Sequence, residues 1–336
     1  MKKQLFHKID DIISFENLVL AWSEFVVGKQ SKPDVQQFSR HLMDNILALH
    51  SDLANWKYHH GGYTDFYITD PKRRHIHKAS VRDRLIHHAV YRQLCLFFDK
   101  TFIADSYSCR IAKGTHKAIN RFKKFGYQVS KNYTRPCYVL KCDIRKFFDS
   151  IDHQILNQIL AHSILDDEIL WLLDNIISSY CAGGKHGKGL PLGNLTSQLF
   201  SNIYMNEFDQ WVKHRLKVKF YVRYADDFVI LGQSKRQLKE LVFPIYLFLQ
   251  EYLDLLLHPR KVSIRTLASG VDFLGWVHFP DHRVLRQTTK RRALSKIKDN
   301  PVNEALQSYL GLAKHGNARK FSRQVNDRFL LMREFF

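Results

Sequence analysis

The sequence predicts an α+β fold in which an antiparallel sheet is backed by helices. Tyr221-Val222-Arg223-Tyr224 and Phe228-Val229-Ile230-Leu231 are β-branched and aromatic runs separated by Ala225-Asp226-Asp227. That pattern reads as strand, tight turn and strand, with the acids at the tip. Cys137-Tyr138-Val139-Leu140-Lys141-Cys142-Asp143 reads as another strand, also ending in an acid. Much of the remaining chain carries apolar residues at helical spacing.

In chain order, residues 10–60 read as largely helical, with Leu18, Trp22 and Val26 about one turn apart. Residues 65–80 read as a basic hairpin: Phe66-Tyr67-Ile68, a turn at Asp70-Pro71-Lys72, then Arg73-Arg74-His75-Ile76-His77. Residues 82–100 resume helical periodicity. Residues 152–181 read as helical, with Leu156, Ile159, Leu160 and Ile164 on one face. Gly183-Gly184 opens a loop running to Gly193, and a helix starts near Thr196 or Ser197, either of which can cap it. Residues 234–254 read as helical, and 261–279 as short strands with a turn at Gly275-Trp276. Residues 288–336 read as helical and strongly basic, a surface suited to lie along a duplex.

A chain of 336 residues suffices for two or three subdomains with their own cores. A hydrophobic content of 45% excludes a disordered chain. Lys plus Arg exceeds Asp plus Glu by 52 − 32 = 20, which points to a polyanionic partner, nucleic acid above all. Anionic membrane, or plain basic solubility, is the alternative. Cys95, Cys109, Cys137, Cys142 and Cys181 form no Cys-x-x-Cys pair and read as reduced core residues of a cytoplasmic protein. No segment approaches 18 uninterrupted apolar residues, so neither a signal peptide nor a membrane span is expected. His59-His60, His75/His77 and His87-His88 lack acidic or cysteine partners at ligand spacing and read as packing or RNA-facing residues.

The chemistry concentrates in the acids. Asp143 and Asp226, each at a strand end, supply the hard oxygen ligands that two-metal phosphoryl transfer requires, with ions about 4 Å apart. Asp227 is a secondary acid, and the backbone oxygen of Ile144 is a further candidate ligand. Asp149 and Asp152 lie beyond the strand end and read as structural, Asp152 as a helix N-cap.

These acids stand within an ordered set: Arg74 with Val81-Arg82-Asp83-Arg84; Ser106-Tyr107-Ser108-Cys109-Arg110 with Gly114-Thr115-His116-Lys117-Ala118; and Asp143-Ile144-Arg145-Lys146-Phe147-Phe148-Asp149-Ser150-Ile151-Asp152. Leu190-Pro191-Leu192-Gly193-Asn194-Leu195-Thr196-Ser197-Gln198, the paired acids, His258-Pro259-Arg260-Lys261 and Phe273-Leu274-Gly275-Trp276 complete it. The set resembles the reverse transcriptases over about residues 60–280. Many bacterial members carry Gln-Gly-x-x-x-Ser-Pro in the loop-to-helix block, where this chain has Leu192-Gly193-Asn194-Leu195-Thr196-Ser197-Gln198. That departure, with Gly114-Thr115-His116-Lys117-Ala118 and the short length, resembles the reverse transcriptases of diversity-generating retroelements.

The resemblance implies a right-hand polymerase with fingers, an antiparallel-sheet palm and a helical thumb. It divides the chain into an N-terminal helical extension (1–60), fingers and palm (61–285) and a basic helical thumb (286–336). It implies two Mg²⁺ ions, with Mn²⁺ as an alternative. Arg74 and Arg110 match arginines that grip the incoming dNTP, with Lys72 and Arg73 as weaker candidates. Lys261 matches a lysine that protonates pyrophosphate or contacts phosphate. Phe148 matches the steric gate against a 2′-hydroxyl, and Gly193 allows close backbone approach to the template base pair. Leu192 stands where a glutamine would orient the nascent pair, and Phe273, Leu274, Gly275 and Trp276 resemble the primer grip.

The implied activity is error-prone, adenine-mutagenic cDNA synthesis from a template RNA, diversifying a protein gene in a bacterium or phage. The implied partners are template RNA, primer or cDNA, dNTPs and a small basic accessory protein docked away from the cleft, with no membrane. A retron-like or phage-defence reverse transcriptase, and a non-polymerising basic RNA-binding protein with a polymerase fold, stand as alternatives.

Overall fold

The computed structural model describes residues 4–69 and 73–334, so the expected turn at Asp70-Pro71-Lys72 and the candidate Lys72 lie outside the described residues. The chain folds as two compact units, each assembled from three separated stretches. The first comprises Met1–Ala104, Ile144–Lys217 and Tyr246–Leu257; the second comprises Asp105–Asp143, Val218–Ile245 and His258–Phe336.

The first unit is mainly helical. The helix Val81–Asp99 begins at Ser80, whose side chain accepts from Asp83 N. Asp83 is itself buried and accepts from Tyr58 Oη at 2.9 Å and Gly61 N at 3.2 Å, so one carboxylate ties the helix start to the incoming chain. Beside it stands a two-stranded antiparallel hairpin, β1 (Tyr63–Ile68) and β2 (Arg74–Ala79), in register from Tyr63↔Ala79 to Ile68↔Arg74.

The second unit holds the main sheet. Strands β3 (Tyr138–Asp143), β4 (Tyr221–Tyr224), β5 (Asp227–Gly232) and β6 (Ser263–Thr266) run in the order β4-β5-β3-β6, all pairs antiparallel. Phe122 and Phe125 of the helix Thr115–Val129 pack with Val139, Val229 and Phe273 in one core. A second sheet follows: β7 (Val271–Phe273), β8 (Trp276–His278) and β9 (Arg283–Leu285). Trp276 then packs with Ile297, Phe321 and Val325 of the C-terminal helices.

Several boundaries differ from the sequence expectation, each for a local reason. The helix expected to start at Thr196 or Ser197 is Leu195–His214, with Asn194 in the cap position. Asn194 Nδ2 donates to His77 O at 3.0 Å, and Thr196 Oγ1 lies 3.3 Å from His87 Nδ1, so neither hydroxyl nor amide caps the helix. Residues 152–181 form two helices, His153–Ala161 and Asp167–Ser178, each capped by an aspartate: Asp152 accepts from Ile155 N and Asp166 from Ile169 N. Residues 234–254 also split, into Lys235–Glu240 and Val242–Leu253, because Pro244 has no N–H to continue the first helix.

The turn expected at Gly275-Trp276 is Leu274–Gly275, since Trp276 already pairs with Phe273. Both turn residues have positive φ, 50° and 84°, as a hairpin turn matched to strand twist requires. The basic C-terminal stretch is three helices, Gln287–Asp299, Asn303–Ala313 and Arg319–Glu334. None of the five cysteines forms a disulfide; Cys95, Cys137 and Cys142 are buried, but Cys109 is exposed and Cys181 half-buried, so these two are not core residues.

Candidate active site

Three acids converge at the strand ends of the second unit. Asp143 closes β3 and is the register partner of Asp227, the first residue of β5. Tyr224 pairs with Asp227 across the two-residue turn Ala225–Asp226, and Ala225 takes the left-handed φ of 54° that so tight a reversal demands. Arg223, fully buried, braces this turn by donating to Ala225 O at 3.0 Å and to Ser106 Oγ at 3.1 Å. Asp226 is thus held on a turn fixed from behind.

Two lysines attend the acids. Lys261 Nζ donates to Asp143 Oδ1 at 2.7 Å. Its loop is anchored to the same residue, because His258 N donates to Asp143 O at 2.8 Å and Lys261 N to His258 O at 3.0 Å. Lys141 Nζ lies 3.4 Å from Asp227 Oδ2. Burial pushes the Asp227 carboxyl up to about 6; Lys141 opposes this, while the charges of Asp143 and Asp226 add to it. That mutual repulsion places the three acids in one electrostatic neighbourhood. Asp227 Oδ1 is buried with no hydrogen-bond partner.

Hard carboxylate oxygens, mutually repelling and drawing in lysine ammonium groups, fit divalent cations of the Mg²⁺ kind. Among the described residues no group of three or more His, Cys, Asp or Glu side chains is arranged to hold a metal ion. Reverse transcriptase domains, which the sequence resembles, generally use divalent metal ions.

The other sequence candidates distribute as follows. In the second unit, Arg110 donates to Ser106 O at 3.0 Å. Phe273 and Trp276 are core residues; Leu274 and Gly275 form the turn of the hairpin β7–β8, with Leu274 partly buried against the two adjoining cores. In the first unit, Ile144 is buried and bridges to Leu257. Arg74 and Leu192 line one cavity of about 490 Å³, together with Arg73, Lys146, Lys185 and a single acid, Asp149. Four cations against one carboxylate give this cavity a positively charged lining.

Leu192 is held on β2 by its carbonyl, which accepts from His77 N at 3.0 Å. Gly193, at φ 112°, packs so closely on β2 that a Cβ there would meet Ile76 Cγ2 at 2.8 Å. Within the structure its close approach is to the β1–β2 hairpin. Phe148 and Gly193 are not among the cavity's lining residues. Phe147 is buried and Phe148 only half-buried, its carbonyl accepting from Leu190 N at 2.8 Å.

The sequence reading passed over Lys141 and Arg223. The signal for both was a charged residue inside an otherwise apolar strand beside an acid.

This sheet, with acids at adjoining strand ends and helices behind it, is the palm of a right-hand polymerase. The fold is shared with the apo telomerase structure from Candida tropicalis (TM-score 0.50, 14% identity, 73% of this chain and 60% of that one). Residues 69–278 match the family model for reverse transcriptase (RNA-dependent DNA polymerase), and the chain belongs to that family. Its relatives include protein YkfC of Escherichia coli K12, 25% identical over 70% of this chain and 69% of YkfC. They also include the group II intron-encoded protein LtrA of Lactococcus lactis subsp. cremoris, 24% identical over 72% of this chain. The chain spans about half of LtrA, 49% of its length. The class of enzyme is RNA-directed DNA polymerase. Among the described residues no helix is long and apolar enough to cross a membrane.

Proposed function

We propose that this reverse transcriptase makes error-prone, adenine-mutagenic cDNA from a template RNA for targeted diversification of a protein gene. The observation that supports it is Leu192, an aliphatic side chain on the wall of the cationic cavity beside Arg74. With neither donor nor acceptor there, a nascent base pair is judged by shape alone. One lost orienting contact is worth on the order of 1–2 kcal/mol, roughly tenfold in selectivity. The bias toward template adenine rests on the sequence resemblance. An intron- or retron-type enzyme is the second reading, favoured by the likeness to LtrA and YkfC.

In either reading Asp143 and Asp226 would hold the divalent ions, with the Ile144 backbone oxygen as a further ligand. When bound, such ions lower the pKa of the primer 3′-hydroxyl and neutralise the triphosphate. Asp227 adds negative charge behind them. Arg74 and Arg110 grip triphosphate oxygens in bidentate pairs. Lys261, hydrogen-bonded to Asp143, protonates the leaving pyrophosphate. The Phe148 ring excludes a 2′-hydroxyl, and Gly193 keeps the Leu192 loop flat on the fingers hairpin. The hairpin of Phe273, Leu274, Gly275 and Trp276 seats the primer. Residues 1–60 serve as a helical extension, 61–285 as fingers and palm, and 286–336 as thumb. Template RNA, primer, dNTPs and a small basic accessory protein are the partners.

The test is sequencing of cDNA made by the wild type and by Leu192→Gln on one adenine-rich template. Misincorporation opposite adenine is expected to fall by roughly tenfold in the variant. Equal error spectra would contradict the assignment to Leu192.

A further inference from the structure

Lys141 stands on β3, a strand hydrogen-bonded on both sides, opposite Val229 of β5 and Ser263 of β6. Its side chain is only 20% exposed. An ammonium group so placed is costly unless its protons find acceptors. One goes to the backbone oxygen of Asp272 at 2.8 Å, and Asp227 Oδ2 lies 3.4 Å away.

Asp272 is the middle residue of β7, the strand that leads into the Leu274–Gly275 turn. The carboxylate of Asp272 is engaged from its other side by Arg286, whose backbone N–H donates to Gly275 O at 3.1 Å. The hairpin is therefore anchored twice: by Arg286 to the start of the C-terminal helices, and by Lys141 to the strand that carries Asp143.

We propose that Lys141 is a positioning residue that sets the primer-holding hairpin against the catalytic acids. This rests on the reading of Asp143 and Asp226 as the catalytic acids and of 273–276 as the primer seat. Nucleotidyl transfer needs the primer 3′-oxygen in line with the α-phosphate, and a misplacement of about 1 Å can cost on the order of a hundredfold in rate. A single ammonium that touches both Asp227 and the backbone of β7 couples the two positions through one rigid strand. Methionine at 141 would keep the packed stem and lose both contacts; arginine would keep the charge and the donors.

The experiment uses the full chain with an annealed RNA template and DNA primer. Lys141→Met is expected to raise the apparent KM for primer ends and to lower kcat by about tenfold or more. The affinity for template RNA alone and the melting temperature should stay near wild type. Lys141→Arg should recover most of the activity. A primer carrying 2-aminopurine at its 3′ end reads its seating without nucleotide; its fluorescence should shift in Lys141→Met and return in Lys141→Arg. Lys141→Gln, uncharged and one bond shorter but still polar, gives the same readouts should the methionine variant be unstable.

Wild-type kcat, primer KM and fluorescence in a folded Met or Gln variant would overturn the proposal. Loss of folding in both variants would also overturn it, since Lys141 would then serve the fold. Asp226→Asn run in parallel keeps the two readings apart: if that variant still extends primers, the active-site assignment itself fails.

Discussion

Carboxylates gathered at neighbouring strand ends repel one another, and Asp227 carries the consequence. It is pushed up to about 6 by burial and by Asp143 and Asp226, with Lys141 opposing. The acids were legible in the sequence because each ends an apolar run, where a charge is conspicuous. Lys141 and Arg223 were not, because a charged residue inside such a run reads as noise in the periodicity until its partner on a distant strand is known. Phe148 was separable from Phe147 only by its position after Asp143, and the structure adds that Phe147 is the buried one. Replacing Phe148 by Ala is expected to raise incorporation of ribonucleotides relative to deoxynucleotides by about tenfold, since the ring would no longer fill the space of a 2′-hydroxyl. Parallel extensions with dNTPs and rNTPs measure the ratio; an unchanged ratio in an active variant would place the gate elsewhere.

Two short elements are fixed by close backbone contacts, one in each unit. The loop before the helix Leu195–His214 lies flat on β2 through Leu192 and Asn194, and Gly193 is the residue that permits it. Gly193→Ala combines an unfavourable φ with a contact against Ile76 and is expected to cost about 1–3 kcal/mol. Thermal melting checks this, and Ile76→Ala in the same chain should restore the steric part only. His278, the last residue of β8, is buried with Nε2 3.2 Å from Phe273 O. Burial lowers its pKa from 6.5 to about 4, with Arg283 and Lys141 adding to the shift against the hydrogen bond to Phe273. A histidine so lowered contributes stability that is full above pH 6.5 and is lost as pH falls through about 4. The loss attributable to His278 is about 3 kcal/mol at most. The melting temperature of the wild type should therefore fall more steeply between these pH values than that of His278→Gln; parallel curves would contradict this. The existence of strands and hairpins followed from alternation and turn signals, whereas helix breaks at Pro244 and Asp166 did not. Apolar periodicity carries across a break, and only the backbone bonds reveal it.

At the scale of the molecule, the net charge of +20 suits a polyanionic partner. In the C-terminal helices Ile297, Phe321 and Val325 are buried while Arg291, Lys296, Lys298, Arg319, Lys320 and Arg323 are exposed, so one face serves the core and the other faces solvent. The overall class was legible because charge, paired acids and motif order agree. The interleaving of each unit from three chain stretches was not, because local pattern carries no record of which distant segments meet. RNA affinity that arises from dispersed Lys and Arg should be nearly independent of any one carboxylate. The most direct measurement is primer extension on an RNA template with dNTPs and Mg²⁺, comparing wild type with Asp226→Asn and following RNA binding in parallel. The expected result is DNA synthesis by the wild type and none by the variant, with RNA affinity within about twofold. Wild-type-like extension by Asp226→Asn would contradict the account.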